Sequence, residues 1–122
     1  MIFNIAASFR RGRATRKELW GTNVNGTKNL LEAAVDAGVK RFVHCSTVGV
    51  HGAIVSPPGD EKSPYAPGDS YQRSMAEGEG IVNQYIKEHK IPTVVFRPCG
   101  VYGPGDLRFF TMGKCIVRQG LH

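Results

Sequence analysis

Three short apolar segments, separated by long spans with helical spacing, constrain this fold more than any other feature of the sequence. Strands are expected at residues 2–6, 40–47 and 93–97. Helices are expected at residues 15–37, 70–89 and 107–119. Connections of this length join parallel strands, so the alternation predicts an α/β fold with a parallel sheet. The first segment alternates little, which is typical of a strand buried on both faces, and the third is also expected to be buried.

Length and charge limit the classes of protein to which the chain can belong. Its 122 residues are enough for one domain with a single core, expected over residues 1–122. No apolar run approaches the roughly 18 residues of a membrane span, so no membrane partner is expected. The net charge is +6, and part of the excess lies in Arg10, Arg11, Arg13, Arg16 and Lys17. A run this short favours a solvated loop or helix start over a site for phosphate-bearing ligands or nucleic acid, and nucleic acid is disfavoured because no aromatic residues interleave with the cluster.

The cysteines indicate a reducing environment. Cys45, Cys99 and Cys115 form no CxxC pair and are odd in number. This pattern argues against a disulfide framework and against a structural zinc site, so no metal ligands are assigned. A cytoplasmic location fits best.

The expected sheet brings several polar or small residues to one edge. Ala6 and Ala7 end the first strand, Ser46 and Thr47 the second, and Pro98 follows the third. In open parallel sheets, ligands bind at the carboxyl ends of the strands. The helix at 70–89 begins at the same edge, after a long loop at 48–69 that holds eight glycines and prolines. The sequence therefore predicts a ligand site at this edge.

Three side chains are candidates for proton-transfer chemistry at that edge. A tyrosine acts as a general acid or base only if a nearby cation stabilises its phenolate. Tyr71 is the candidate acid/base, Thr47 the residue that holds a substrate oxygen, and Asn23 the residue that orders a proton-relay water. Each also has a simpler interpretation: Asn23 satisfies backbone groups in its helix, Thr47 terminates a strand, and Tyr71 packs on the loop. The nearby Gly26 is expected to permit close backbone packing.

Five segments carry a resemblance to a known family. They are Phe3 to Ala7, Asn23 to Ala34, Gly38 to Val43, Ser46 to Gly52, and Arg97 to Gly105. In this order and spacing the chain resembles the middle of an extended short-chain dehydrogenase/reductase. That group contains NAD(P)-dependent epimerases, dehydratases and steroid-dehydrogenase-like reductases. Two positions differ from the usual pattern: Asn4 stands where histidine is common, and His51 stands where tyrosine is commoner.

The resemblance implies a fold, a cofactor and a set of site residues. The fold would be a Rossmann-like doubly wound parallel sheet, of which this chain holds three strands and three helices of the C-terminal half, without the glycine-rich N-terminal half. The cofactor would be NAD or NADP, and the substrate a secondary alcohol or ketone on a nucleotide sugar or a steroid- or flavonoid-like molecule. The implied catalytic residues are Asn23, Thr47 and Tyr71. The implied cofactor-binding residues are Ala6, Ala7, Ser46, Tyr71 and Pro98, and the implied substrate-binding residues are Thr47, Val101 and Tyr102.

One departure from the family pattern bears on activity. Met75 stands four residues after Tyr71, at the position of the family lysine. Loss of that ammonium removes the charge that lowers the pKa of the tyrosine, so impaired activity is expected. The alternative is a non-catalytic interaction module or pseudo-enzyme that forms a homodimer through the helices at 15–37 and 70–89, which correspond to those that pack across the dimer in this family.

Overall fold

The computed structural model describes residues 1–9, 14–88 and 90–104. The helix expected at 107–119 lies outside the described residues, as do Cys115 and three members of the basic cluster, Arg10, Arg11 and Arg13. Within the described ranges, no helix is long and apolar enough to cross a membrane.

Three parallel strands form the predicted sheet. They are β1 (Ile2–Asn4), β2 (Phe42–Cys45) and β3 (Thr93–Phe96), and they lie in the order β1-β2-β3. In the register of the sheet, Phe3 pairs with Val43 and Val43 pairs with Val94. The prediction of a parallel sheet is confirmed, and each strand is shorter than the apolar segment that predicted it.

The first helical span is continuous but changes its winding. Helix α1 (Arg16–Trp20) passes into a π-helical segment (Gly21–Gly26) and then into helix α2 (Thr27–Asp36). Thr15 begins α1 with a capping box, in which its side chain accepts from the Glu18 amide and Glu18 accepts from the Thr15 amide. Gly38 follows α2 with a φ of +61°, as a C-terminal stop requires. Such π-helical turns are frequent at functional sites.

Helix α3 (Ser70–Lys87) crosses the π-helical segment at a glycine. A Cβ atom at Gly78 would lie 2.3 Å from the Asn23 carbonyl oxygen, so no larger residue fits there without a shift. At Gly26 a Cβ would meet only the Gly21 carbonyl oxygen, at an ordinary 3.5 Å. The expectation that Gly26 permits the close approach is therefore wrong, because α3 crosses the segment beside Asn23 and supplies the small residue itself.

The core lies between the sheet and helices α2 and α3. Its buried residues are Leu31, Ala34, Phe42, Val82, Tyr85 and Ile91. The opposite face of the sheet is open: Phe3 is 59% exposed and Val94 is 58% exposed. The expectation that the first strand is buried on both faces, and the third buried, is wrong for the described part of the chain. The physical reason is that α2 and α3 pack on the same face, and apolar run length does not reveal which faces are covered.

Candidate active site

A cleft of about 610 Å³ opens where the three strands end. Its walls come from the segment after β1, the end of β2, the first turns of α3 and the segment after β3. The predicted site residues that line it are Ala7, Ser46, Thr47, Tyr71, Met75, Pro98 and Val101. The structure therefore brings together most of the side chains that the sequence assigned to this edge.

Three predicted residues lie elsewhere. Ala6 is exposed and does not line the cleft, because its neighbour Ala7 faces it instead. Tyr102 is 78% exposed and lies beyond the lining residue Val101. Asn23 is buried and does not line the cleft. Their assigned roles stay predictions.

Thr47 ends β2 and begins the next turn. Its Oγ1 accepts a hydrogen bond from the Gly49 amide at 3.1 Å, which caps the 3₁₀ turn Val48–His51. The Val48 amide donates to the Pro98 carbonyl at 3.2 Å and ties this turn to the segment after β3. Because Oγ1 acts as an acceptor in the cap, the hydroxyl hydrogen stays available to donate into the cleft. The rest of the predicted loop, up to Asp69, holds no further helix or strand.

Tyr71 lies in the first turn of α3, partly buried against an aromatic neighbour. The Phe9 ring meets its ring edge to face, with centroids 4.7 Å apart and planes at 88°. Burial raises the pKa of the Tyr71 hydroxyl, and negative charge on Cys45, when its thiol is ionised, and on Asp69 raises that pKa further. Every contribution thus favours the neutral phenol, the reverse of what a tyrosine base requires.

Met75 lies one helical turn from Tyr71 and lines the same cleft. Its side chain is 4% exposed and contributes an apolar thioether. Among the described residues that line the cleft, none is a lysine or an arginine. Within residues 1–9, 14–88 and 90–104, the cleft wall beside Tyr71 therefore carries no lysine or arginine charge.

Asn23 uses its whole carboxamide within the scaffold. Its Oδ1 accepts from the Ser8 amide at 2.7 Å, and its Nδ2 donates to the Ser8 carbonyl at 3.0 Å and to Ser74 Oγ at 2.9 Å. Ser74 Oγ in turn donates to the Tyr71 carbonyl at 2.8 Å. Asn23 thus links the segment after β1 to the first turns of α3 and fixes the backbone that carries Tyr71.

A charged cluster beside the cleft was missed from the sequence. Glu79 on α3 is fully buried, and Arg97 Nε donates to its two carboxylate oxygens at 3.2 and 3.1 Å. Tyr65 Oη also donates to Glu79 and accepts from Arg97 Nη2 at 2.7 Å. Burial alone would raise the pKa of Glu79, but hydrogen bonds from Arg97 and Tyr65 hold that pKa below its ordinary value. The sequence feature that could have revealed this cluster is the four-residue spacing of Tyr71, Met75 and Glu79, which puts a carboxylate on the buried face of α3.

A second buried polar group lies on the covered face of the sheet. Asn4 Nδ2 donates to Thr27 Oγ1 at 3.3 Å and lies 3.2 Å from His44 Nδ1. Burial lowers the pKa of His44, although the nearby Glu79 charge acts in the opposite direction. His44 is therefore a neutral core residue that joins β1 to β2. In the part of the chain that the structure describes, no group of three or more His, Cys, Asp or Glu side chains is placed to hold a metal ion.

The parallel sheet, its crossover helices and the cleft at the strand ends define a Rossmann-like α/β fold. The chain belongs to the NAD dependent epimerase/dehydratase family, whose family model matches residues 1–118. This result confirms the resemblance to NAD-dependent epimerases and dehydratases that the sequence motifs indicated.

Individual relatives agree with this assignment. The chain is 40% identical over 106 residues to the low-salt glycan biosynthesis protein Agl12 of Haloferax volcanii, covering 85% of this chain and 34% of that protein. It is 36% identical over 101 residues to the UDP-glucose 4-epimerase of Vibrio cholerae, covering 81% of this chain and 31% of the relative. Among solved structures, the dTDP-glucose 4,6-dehydratase DesIV of Streptomyces venezuelae, with NAD bound, aligns with a TM-score of 0.81 at 33% identity. That alignment covers 95% of this chain and 38% of DesIV, so the chain spans about a third of the length of these relatives.

Proposed function

We propose that this chain forms the part of an NAD(P)-dependent oxidoreductase active site that holds the reacting oxygen of a secondary alcohol or ketone. The observation that carries the proposal is the placement of Thr47 and Tyr71 in one cleft, which Pro98 also lines. Thr47 would donate a hydrogen bond to the substrate oxygen, and Tyr71 would exchange a proton with it. Asn23 would support these residues through Ser74 and the backbone of Tyr71, and its predicted role in ordering a relay water is part of the same proposal.

The cleft fits a nicotinamide ring better than it fits a charged group. Its lining includes the apolar side chains of Phe9, Met75 and Pro98, which suit a flat ring. Bound NAD or NADP would supply the hydride chemistry, with Ala7, Ser46 and Pro98 along its path. Tight binding is expected to require a glycine-rich turn that seats the pyrophosphate, so the chain alone should bind the dinucleotide weakly.

Met75 determines how active the site is. No lysine or arginine is among the described residues that line the cleft, and burial and its neighbours raise the pKa of Tyr71, so Tyr71 stays a neutral phenol at neutral pH. We therefore propose that proton transfer is slow in this chain. The free thiols of Cys45 and Cys99 are consistent with the proposed cytoplasmic location.

The substrate class is proposed from the relatives. Their names include UDP-glucose 4-epimerase, dTDP-D-glucose 4,6-dehydratase and, in Arabidopsis thaliana, 3beta-hydroxysteroid-dehydrogenase/decarboxylase. A nucleotide sugar or a steroid-like alcohol would present the secondary hydroxyl or ketone that Thr47 and Tyr71 are arranged to meet.

A chimera tests the proposal directly. The segment of DesIV that aligns with this chain is replaced by this chain, with and without Met75→Lys, and NADH binding is followed by fluorescence. We expect both chimeras to bind NADH, and dehydration to be about 100-fold faster with Met75→Lys than without it. Tyr71→Phe in the Met75→Lys chimera is the control that removes the proton donor. Absence of NADH binding in the Met75→Lys chimera would contradict the proposal.

The apolar Met75 in the cleft favours a second candidate, a non-catalytic module that forms a homodimer through its helices. The relevant helices lie side by side: Trp20 Nε1 on α1 donates to Glu77 on α3 at 2.8 Å, and Arg16 stacks over the Trp20 ring at 4.6 Å. Sedimentation velocity distinguishes the two functions. A dimer without NADH turnover in the Met75→Lys chimera supports the module, whereas a monomer of the chain removes it.

A further inference from the structure

His51 contacts two different segments through its two ring nitrogens. The side chain is 6% exposed and lies at the end of the 3₁₀ turn that Thr47 caps. Its Nδ1 lies 3.2 Å from the Pro64 carbonyl oxygen, in the long loop. Its Nε2 lies 3.1 Å from Arg97 Nη1, at the end of β3.

These two contacts fix the position of the imidazole proton. An arginine can only donate hydrogen bonds, so Nε2 accepts and carries no hydrogen. A carbonyl oxygen can only accept, so Nδ1 carries the hydrogen and donates it to Pro64. The arrangement therefore selects one form of His51, the neutral Nδ1–H tautomer.

Every N–H group of Arg97 already has a hydrogen-bond partner, so Arg97 holds His51 in one orientation. Its Nε and Nη2 are held by Glu79 and Tyr65. Its Nη1 meets His51 and, at 3.4 Å, the Glu61 carbonyl oxygen. All five N–H groups thus have partners, and the arginine side chain is anchored to α3 through its ion pair with Glu79.

The same turn is fixed to the loop by its backbone. The Ala66 amide donates to the Val50 carbonyl at 3.0 Å. Gly52 has a φ of +59°, and a Cβ there would lie 2.0 Å from the Ala66 carbonyl oxygen. The turn, the loop and the end of β3 therefore meet at His51.

We propose that His51 is a positioning residue of the cleft. As the Nδ1–H tautomer it joins the loop to Arg97 and so sets the 3₁₀ turn on which the Thr47 hydroxyl depends. His51 would affect the reaction only through the position of the Thr47 hydroxyl, and this part of the proposal rests on the proposed function. The tyrosine that is commoner at this position has a single hydroxyl and cannot make both ring-nitrogen contacts, so the arrangement is specific to a histidine.

Nitrogen NMR of the 122-residue chain tests the tautomer without any ligand. Long-range ¹H–¹⁵N correlation of His51 should show a protonated Nδ1 and a bare Nε2 at neutral pH. A protonated Nε2, or fast averaging between the two tautomers, would overturn the proposal. Because no cofactor is involved, this result is independent of whether the NADH chimera succeeds.

Two variants test the positioning role. His51→Phe keeps a ring against Tyr65, whose centroid lies 5.5 Å away, but loses both hydrogen bonds. His51→Gln restores an oxygen that can accept from Arg97. We expect His51→Phe to shift the Thr47 and Gly49 amide resonances and to speed amide exchange at Ala66 about tenfold, with most of both effects reversed in His51→Gln. Unchanged Thr47 and Gly49 resonances in a folded His51→Phe chain would contradict the role, and if that variant does not fold, the tautomer measurement still decides.

Discussion

Two polar groups on helix α3, Tyr71 and Glu79, lie eight residues apart and have opposite electrostatic surroundings. Glu79 is fully buried but paired with Arg97, and its pKa is lowered. Tyr71 is partly buried beside Met75, and its pKa is raised. In the part of the chain that the structure describes, a cation is present where the fold must neutralise a buried carboxylate, and none lines the cleft where a proton-transferring phenol would need it. The Glu79–Arg97 pair therefore stabilises the fold, whereas the surroundings of Tyr71 do not favour proton transfer.

The largest effect is expected from breaking the pair around Glu79. Arg97→Leu would leave the buried carboxylate without its cation, and we expect the free energy of unfolding to fall by about 3–5 kcal/mol. Urea denaturation followed by circular dichroism measures the loss. Lys90→Leu is the matched control, because it removes the cation of the exposed pair with Glu88 and should change stability little. Equal effects of the two variants would show that the Arg97 pair does not hold the scaffold.

The close packing of α3 against the π-helical segment positions both Tyr71 and Glu79, and a substitution at Gly78 tests it. Gly78→Ala places a methyl group 2.3 Å from the Asn23 carbonyl oxygen, and we expect a loss of about 1–3 kcal/mol in unfolding free energy. Gly80→Ala is the control in the same helix, since nothing lies within 4 Å of a Cβ there. It should stabilise the chain by about 0.5–1 kcal/mol because alanine favours the helix. A tolerated Gly78→Ala would contradict the close crossing of α3 and the π-helical segment.

The pH dependence of stability should report Glu79. Its pKa is lower in the folded chain than in the unfolded chain, so its contribution is present in full above the unfolded value of roughly 4.3. That contribution is lost as the pH falls through the folded pKa. Urea midpoints measured from pH 7 to pH 3 should fall in this acid range, and Glu79→Gln should flatten the fall. A midpoint that does not depend on pH below 5 would argue against a stabilised carboxylate.

The sequence predicted the sheet and the convergence at its carboxyl edge because both depend on local patterns. Strand length, helical spacing and the order of elements place Thr47, Tyr71 and Pro98 together without knowledge of side-chain packing. The open face of the sheet was not predicted, because the apolar character of Phe3 and Val94 does not say whether another layer covers them.

The charged cluster was not predicted because it is assembled from distant segments. Along the chain, Arg97 lies 18 residues from Glu79, and Tyr65 lies 14 residues from it. Only the fold shows that the three side chains share hydrogen bonds. The relay role of Asn23 stays a prediction, and its hydrogen bonds to Ser8 and Ser74 were not predicted. Side-chain hydrogen bonds between elements are tertiary facts that residue spacing does not encode.

The pKa of Tyr71 tests most directly the claim that Met75 leaves the phenol without a stabilising charge. Tyrosine labelled with ¹³C at Cζ is titrated by NMR in the unmodified chain, in Met75→Lys and in Met75→Leu, with Tyr71→Phe to assign the resonance. We predict that the Tyr71 pKa lies above its ordinary value in the unmodified chain and in Met75→Leu, and that Met75→Lys lowers it because an ammonium favours the phenolate. A Tyr71 pKa below its ordinary value with Met75 in place, or one that Met75→Lys leaves unchanged, would contradict the account.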